Sequence, residues 1–206
     1  PAWVASTTPR VTLSSPSADI DAYAGNVSLT ITSNISWTAL VSPDAPWITL
    51  STYSGTSGNT EIAVSAAQNT TAATRTGTVT ITDACNLTTT FTVTQNKPAI
   101  GINLPGETSL PASMNTYGIS FTSNTSWSAT VSGDAPWLTL DAASGKGDYF
   151  LSITSSVNTT TKKRKGTVTI TDGGTIKIPL YFKQDSSYIE LSPVTITEPL
   201  ENNKEK

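Results

Sequence analysis

The feature that most constrains the fold is a tryptophan-containing segment that occurs twice. "DAPWITL" spans residues 44–50 and "DAPWLTL" spans residues 134–140, so one Ile/Leu exchange separates two segments 90 residues apart. Further segments recur in the same order, among them "SNISW" with "SNTSW" and "NTTAATRTGTVTITD" with "NTTTKKRKGTVTITD". Self-similarity at a fixed period predicts a repeated structural unit. We therefore expect two copies of one domain.

The spacing between the copies also locates a loop and the domain boundaries. It is 90 residues up to the Ser-Gly pairs and 89 afterwards, because "SGTSGN" of the first copy corresponds to "SGKGD" of the second. A deletion in a glycine-rich turn is tolerated since such turns lie on the surface. The predicted organisation is an N-terminal extension at 1–10, a first domain at 11–97, a second domain at 98–185, and a segment at 186–206 that either begins a third copy or packs on the second.

Alternation of side chains predicts the secondary structure. In "GTVTITD" and "TTTFTVTQ" the apolar residues Val79, Ile81, Phe91 and Val93 alternate with Thr. The apolar side chains of each segment are therefore expected to point to the core. Ser and Thr together make up about 64 residues, and Thr suits a pleated, half-buried surface. Several period-two segments separated by turns are typical of a sandwich. The expected fold is all-β, with two tandem sandwiches. The short connector "NKPA", which contains Pro98, predicts that they form an extended rod.

Four tryptophans divide into two kinds of position. Trp37 and Trp127 are in phase with inward residues and are expected between the sheets. Trp47 and Trp137 each follow a proline, and the alternation assigns the neighbouring aliphatic residues to the core. Trp47 is then either a packing anchor beneath the Arg75 guanidinium, a favourable cation–π arrangement, or an exposed platform for a ligand.

A glutamine falls on the inward phase at the end of each copy. A buried amide is expected to satisfy backbone groups there, because an unpaired one costs about 1–3 kcal/mol. Together with the tryptophans and their arginines the two glutamines define a recurring structural motif, which comprises Trp37, Trp47, Arg75 and Gln95 in the first copy and Trp127, Trp137, Arg164 and Gln184 in the second.

This arrangement resembles the BACON domain (Bacteroidetes-associated carbohydrate-binding, often N-terminal). The matching pattern runs from Trp through W-[IL]-T-L and Ser-Gly to Asn, Arg-x-Gly, a V-T-I-T strand and a terminal Gln. The resemblance covers both copies and stops at the two ends of the chain. It implies immunoglobulin-like sandwiches of Bacteroidetes or their phages, in extracellular proteins whose other modules include glycoside hydrolases.

Composition argues against several classes of function. The net charge is −3, and the single basic run, residues 162–165, is expected to be a solvated loop rather than a nucleic-acid surface. The chain has no His and one Cys, so it lacks the residues for a nucleophilic triad or a zinc site. We expect no catalysis, no metal and no cofactor.

The expected location is extracellular or at the cell surface. No run of 18 apolar residues predicts a membrane span, so direct membrane insertion is not expected. No export signal is visible in the chain, and we expect such a signal to have been removed or to lie elsewhere.

Aromatic residues that break the repeat are the candidate ligand contacts, because the fold does not require them. Tyr149 corresponds to Thr60, and Tyr181 corresponds to Thr92. Tyr181 and Lys183 both point outward on the last strand of the second copy. The strand face carrying Tyr181 and Lys183 is the first candidate for a glycan contact, with Tyr149 as a further candidate.

Three functions fit these observations. The first is a non-catalytic spacer or scaffold for neighbouring domains of a larger polypeptide. The second is a carbohydrate-binding module for mucin or plant glycans. The third is a repeat of an adhesive protein or a phage-virion appendage. A glycan ligand and neighbouring domains are the expected partners.

Overall fold

The computed structural model describes Thr8, residues 10–103 and residues 106–187. Most of the predicted N-terminal extension, and the segment from Tyr188 onward, lie outside the described residues, so the prediction of a third copy stays a prediction. Every regular element in the described part of the chain is a β-strand. The all-β fold expected from the alternating segments is therefore confirmed.

The first sandwich consists of two facing sheets. Its strands, in chain order, are β1 (Val11–Leu13), β2 (Ser17–Ile20), β3 (Gly25–Ser33), β4 (Trp37–Val41), β5 (Ile48–Leu50), β6 (Ser54–Gly55), β7 (Gly58–Ala66), β8 (Arg75–Asp83) and β9 (Thr88–Gln95). One sheet has the order β1-β3-β7-β5 and the other has the order β2-β9-β8-β4-β6. All pairs are antiparallel except β2 with β9, which is parallel.

The second sandwich repeats this topology strand for strand. Its strands are β10 (Ile100–Ile102), β11 (Glu107–Leu110), β12 (Asn115–Ser123), β13 (Ser126–Val131), β14 (Leu138–Leu140), β15 (Ser144–Lys146), β16 (Tyr149–Ser155), β17 (Arg164–Thr171) and β18 (Lys177–Gln184). The sheets have the orders β10-β12-β16-β14 and β11-β18-β17-β13-β15. In both copies the entering chain pairs first with one sheet and then crosses to the other, as in immunoglobulin-like sandwiches.

Each sandwich has its own core, formed by the inward residues of both sheets. Val79, Ile81 and Val93 of the first copy are completely buried, and Val168 and Ile170 occupy the same positions in the second. The outward positions of the same strands are mostly Thr, which keeps the strand propensity without adding apolar surface. The core therefore follows directly from the period-two pattern.

Contacts between the sandwiches join the end of the first that contains Gln95 to the opposite end of the second. The backbone N–H of Tyr23 donates to the carbonyl of Asn124 at 3.3 Å. Gln68 lies at the same junction, with its Nε2 3.4 Å from Thr125 Oγ1. The two domains thus meet end to end.

Candidate ligand-binding faces and the buried motif beneath them

A buried glutamine organises one end of each sandwich. Gln95 is completely buried, and its Nε2 lies within 3.4 Å of the carbonyl oxygens of Asp21, Ala22, Tyr23 and Ala67. Its Oε1 accepts a hydrogen bond of 2.9 Å from Arg75 Nε. The amide therefore ties two loops to the last strand at a point where the backbone carbonyls have no strand partner.

The second copy reproduces this centre. Gln184 Oε1 accepts a hydrogen bond of 2.7 Å from Arg164 Nε, and Gln184 Nε2 donates to the carbonyl of Ser156 at 2.9 Å. Arg164 also donates through Nη2 to that carbonyl at 2.8 Å. Burial lowers the pKa of both arginines below the ordinary value, but a guanidinium stays charged in proteins.

The arginines cover the second pair of tryptophans. Arg75 Cζ lies 4.4 Å from the centroid of the Trp47 ring, and Arg164 Cζ lies 4.6 Å from that of Trp137. The Trp47 ring also lies near Gly77, where an added Cβ would be 3.2 Å from the ring and 2.5 Å from Ala45 Cβ. Both rings therefore pack within their own domain, where Trp137 is buried and Trp47 is half-buried.

The first pair of tryptophans lies between the sheets, each on a glycine of a short edge strand. A Cβ on Gly55 would lie 2.6 Å from the Trp37 ring, and one on Gly145 would lie 2.6 Å from the Trp127 ring. The Nε1 of Trp127 donates to the carbonyl of Gly147 at 3.1 Å. The Nε1 of Trp37 is buried and has no hydrogen-bond partner among the described residues.

This difference accompanies the one-residue deletion in the loop beside the ring. In the shorter "SGKGD" loop, Gly147 adopts a φ of 71°, a left-handed conformation that glycine enters without steric cost, and its carbonyl meets the indole. In the longer loop of the first copy the equivalent glycine, Gly58, also has a positive φ, of 118°. The indole N–H therefore has a carbonyl partner in the shorter loop and none among the described residues of the longer one.

The strand face carrying Tyr181 and Lys183 lies on the outside of the five-stranded sheet. Tyr181 is 52% exposed and stands between Glu107 of β11 and Thr167 of β17 in the sheet register. Lys165 Nζ and Glu107 Oε1 form an ion pair of 2.9 Å. Because β18 separates their two strands, this ion pair passes over β18 beside the Tyr181 position.

The structure does not bring Tyr149 to this face. Tyr149 belongs to β16 of the other sheet, and its ring centroid lies 4.9 Å from that of Trp127. Its hydroxyl donates to Asp141 Oδ2 at 3.4 Å. Burial, followed by the neighbouring Asp141 carboxylate, raises the pKa of the Tyr149 phenol. Tyr149 therefore packs against the aromatic interior of the second sandwich.

The sequence reasoning missed the next residue, Phe150. Its side chain is 59% exposed on the outside of the four-stranded sheet, and it covers Gly118 of the neighbouring strand. The corresponding residues of the first copy are Glu61 and Ser28, whose side chains hydrogen-bond to each other. Two signals could have found it: Phe150 breaks the repeat, and it occupies an outward position.

The described residues contain no group of three or more His, Cys, Asp and Glu side chains placed to bind a metal ion. No helix long and apolar enough to span a membrane occurs in the same ranges.

Two family models match the chain in tandem. The model described as "Viral BACON domain" matches residues 10–97. The BACON model described as "Putative binding domain, N-terminal" matches residues 119–179. None of the curated proteins matches the chain.

Several solved structures are similar to parts of the chain. A Bacteroides ovatus GH5 xyloglucanase in complex with a XXXG heptasaccharide matches 43% of the chain at 22% identity and a TM-score of 0.40, and the match spans 19% of that enzyme chain. The titin Ig tandem A164-A165 matches 85% of the chain and 97% of its own length, at 10% identity and a TM-score of 0.35. The D0-D1 domain of intimin matches 86% of the chain and 98% of its own length, at 10% identity and a TM-score of 0.31.

The first match spans the whole first sandwich, and the second spans the part of the second sandwich that contains Trp127, Trp137 and Arg164. BACON domains are carbohydrate-associated modules, typically non-catalytic and commonly extracellular. The chain belongs to the BACON family and carries two such domains in tandem.

Proposed function

We propose that the chain is a non-catalytic spacer that holds neighbouring modules of an extracellular, carbohydrate-associated protein at a fixed separation. The observation that carries this proposal is the end-to-end junction, in which side chains and backbone hold both the linker and the two facing ends. A flexible connector would leave the domain orientation free.

An asparagine fixes the path of the linker. Asn124 Oδ1 accepts a hydrogen bond of 2.8 Å from the backbone N–H of Ala99, and Asn124 Nδ2 donates to the carbonyl of Lys97 at 3.1 Å. Pro98 between them is buried. In the first sandwich Asn34 holds Arg10 and Thr8 in the same way. Each copy therefore fixes the direction in which its own chain enters.

A close backbone approach completes the junction. Gly174, in the turn between β17 and β18, lies so near the first sandwich that a Cβ would be 2.8 Å from the carbonyl oxygen of Thr70. The equivalent residue of the first copy is Cys85, which is exposed. Lys146 of the second sandwich also lies over the ring of Tyr23, with its Nζ 5.0 Å from the centroid.

The Gly174→Ala substitution tests the spacer directly. The added methyl group meets the Thr70 backbone and should force the sandwiches apart without touching either core. Small-angle scattering and NMR rotational correlation times of the unaltered chain should show one elongated body. The variant should show increased independent motion of the two domains with unchanged domain spectra.

Cys85→Ala is the matched control, since it changes the equivalent turn at the end of the first sandwich that does not meet the second. It should leave the scattering curve and both correlation times unchanged. A compact, side-by-side particle, or two domains that already tumble independently in the unaltered chain, would refute the spacer proposal.

A second candidate function is glycan binding at the strand face carrying Tyr181 and Lys183. The exposed tyrosine beside the Glu107–Lys165 ion pair favours it, because sugar sites combine an aromatic ring with a few directed polar groups. No other outward position of the five-stranded sheets combines an exposed aromatic ring with an ion pair in the described ranges.

The Tyr181→Thr substitution tests this candidate, since Thr92 stands at the equivalent position of the first sandwich. The variant should lose retention on insoluble glycans such as mucin or plant cell-wall material while its melting temperature stays the same. Equal retention of both proteins, or retention of neither, would remove the candidate.

A further inference from the structure

Phe150 forms a flat, exposed platform on the outer face of the four-stranded sheet in the second sandwich. Its ring covers Gly118, where a Cβ would lie 2.2 Å from Cζ, 2.8 Å from Cε1 and 3.0 Å from Cε2. Any residue larger than glycine there would displace the ring. The ring is therefore held against the sheet and loses little conformational freedom when something stacks on it.

Short hydroxyl side chains surround the ring. Ser120 is the direct cross-strand neighbour of Phe150, and Ser152 is that of Gly118. Farther along the same two strands, the hydroxyls of Thr116 and Thr154 hydrogen-bond to each other at 3.0 Å. The outward side chains of β12, β14 and β16 carry no charge.

The composition of this face decides between two kinds of partner. A stable protein partner needs a buried area of at least about 1,000 Å² with an apolar centre, whereas Phe150 is the single large exposed apolar residue on this face among the described residues. One aromatic ring within a field of hydroxyl groups fits a small amphipathic ligand better.

We propose that the Phe150 platform binds a neutral pyranose residue of a carbohydrate. The C–H bonds on one face of a pyranose carry partial positive charge and stack on the negative face of an aromatic ring. The equatorial hydroxyl groups then point sideways, where Ser120 and Ser152 offer donors and acceptors. The outward side chains of these three strands carry no charge, and the Asp141 carboxylate, just after β14, accepts a hydrogen bond of 2.9 Å from the backbone N–H of Ser152. A carboxylate at this site repels an acidic sugar, so a neutral sugar fits better.

The first sandwich lacks this site at the equivalent positions. Ser28 and Glu61 replace the glycine and the phenylalanine, and their side chains are joined by a hydrogen bond. The proposal goes beyond the spacer function, and it concerns a different sheet from the strand face carrying Tyr181 and Lys183. Loss of one site would therefore leave the other measurable.

Affinity electrophoresis of the full chain through gels containing hydroxyethylcellulose or galactomannan tests the proposal. Phe150→Ala should weaken the apparent affinity about tenfold or more, as loss of a central aromatic anchor does. The double variant Gly118→Ser, Phe150→Glu installs the pair of the first sandwich and should also lose retardation. Leu40→Ala, which removes an exposed apolar side chain of the first sandwich, should bind as the unaltered chain does.

A spectroscopic measurement ties the effect to the ring itself. The chain has four Phe residues, so selective ¹³C labelling gives few ring signals, and the Phe150 signals should shift on titration with cello-oligosaccharides or manno-oligosaccharides. Three results would overturn the proposal: no retardation in either polysaccharide, retardation that survives both Phe150 variants, or Phe150 signals that do not move. Retardation lost with Tyr181→Thr alone would assign the binding to the other face.

Discussion

The two sandwiches share their buried contacts almost atom for atom and differ on their outer faces. Gln95 and Gln184 form the same hydrogen bonds to arginine and to loop carbonyls, and the arginines cover equivalent tryptophans. The comparison therefore separates the buried residues that the fold requires from the outward residues that it does not require.

The outer face of the first five-stranded sheet is an array of threonines. Thr78 stands beside Thr92, Thr80 beside Thr90, and Thr76 beside Thr94 in the register. In the second copy three of these positions carry Lys165, Tyr181 and Lys183, whereas Thr167 and Thr169 keep the threonine. The four-stranded sheets differ in the same way, with Ser28 and Glu61 in the first and Gly118 and Phe150 in the second. Aromatic residues are thus added to a face that folds without them.

The comparison also extends to the ends of the domains. The Asp172–Gly174 turn of the second sandwich meets the first sandwich, and Gln68 Nε2 lies 3.5 Å from the Asp172 carbonyl. The equivalent turn of the first sandwich instead presents Leu87 to solvent. Position 174 carries a glycine because a side chain there would collide with the backbone of the first sandwich at Thr70.

The largest expected loss of stability comes from truncating the two tryptophans that the arginines cover, and it should differ between them. Trp137 is buried, whereas Trp47 is half-buried. Trp137→Ala should destabilise the second sandwich by about 3–5 kcal/mol, because it leaves a cavity in a packed site. Trp47→Ala should cost about 2 kcal/mol in the first, since less apolar area is lost. Urea unfolding followed by NMR signals of each domain gives both values.

A loss below about 1 kcal/mol at both tryptophans would contradict their role in packing, since surface positions change stability by about 0.5 kcal/mol or less. Thr92→Ala, on an outward position, is the control for such a surface change.

The next effect should be equal in the two copies. Gln95→Ala and Gln184→Ala each remove the acceptor of the arginine Nε–H and the donor to several loop carbonyls, which should cost about 2 kcal/mol in the affected domain. Domain-resolved hydrogen exchange of the full chain measures the loss. Unequal costs would show that the two glutamine centres, despite the same geometry, support their domains differently.

A smaller effect should expose the loop difference. Trp127→Phe removes the hydrogen bond to Gly147 together with ring volume, whereas Trp37→Phe removes ring volume alone. The second sandwich should therefore lose about 1 kcal/mol more than the first. Equal losses would mean that the Trp127–Gly147 hydrogen bond adds nothing to stability. Thermal unfolding monitored for each domain measures the difference.

The smallest effect concerns the ion pair beside Tyr181. Glu107→Gln should change the free energy of unfolding of the second sandwich by no more than about 0.5 kcal/mol, because exposed ion pairs contribute little. The same variant should weaken glycan retention if the Tyr181 face binds sugars. A stability loss above about 1 kcal/mol would assign the ion pair a structural role instead. Chemical unfolding and retention assays on one preparation measure both.

Much of the fold could be predicted from the sequence because its signals are local. The alternation in "GTVTITD" specifies which side of the strand is buried, and a repeat 90 residues away shows that the unit occurs twice. The position of Trp47 next to aliphatic core residues also indicates a second packing surface, although the residue that covers it lies far along the chain.

The candidate ligand-binding residues could be predicted less well from the sequence than the fold. Tyr149 and Phe150 are adjacent and both break the repeat, yet one packs inward on Trp127 and the other lies exposed on Gly118. The alternation predicts that the two side chains point to opposite faces of the sheet. Which face is buried depends on where the other sheet of the sandwich packs. The alternation alone does not single out Phe150, because Gly118, on which its ring lies, belongs to a different strand.

By itself, the sequence determined the strands, their inward faces, the number of domains and the buried motif, because these depend on side-chain period and on residue types that recur. The tertiary structure alone decided which outward residues meet across strands, how Asn124 and Gly174 join the two ends, and which indole N–H finds a carbonyl. Those outcomes depend on distances between segments remote in the chain, which the local pattern of side chains does not encode.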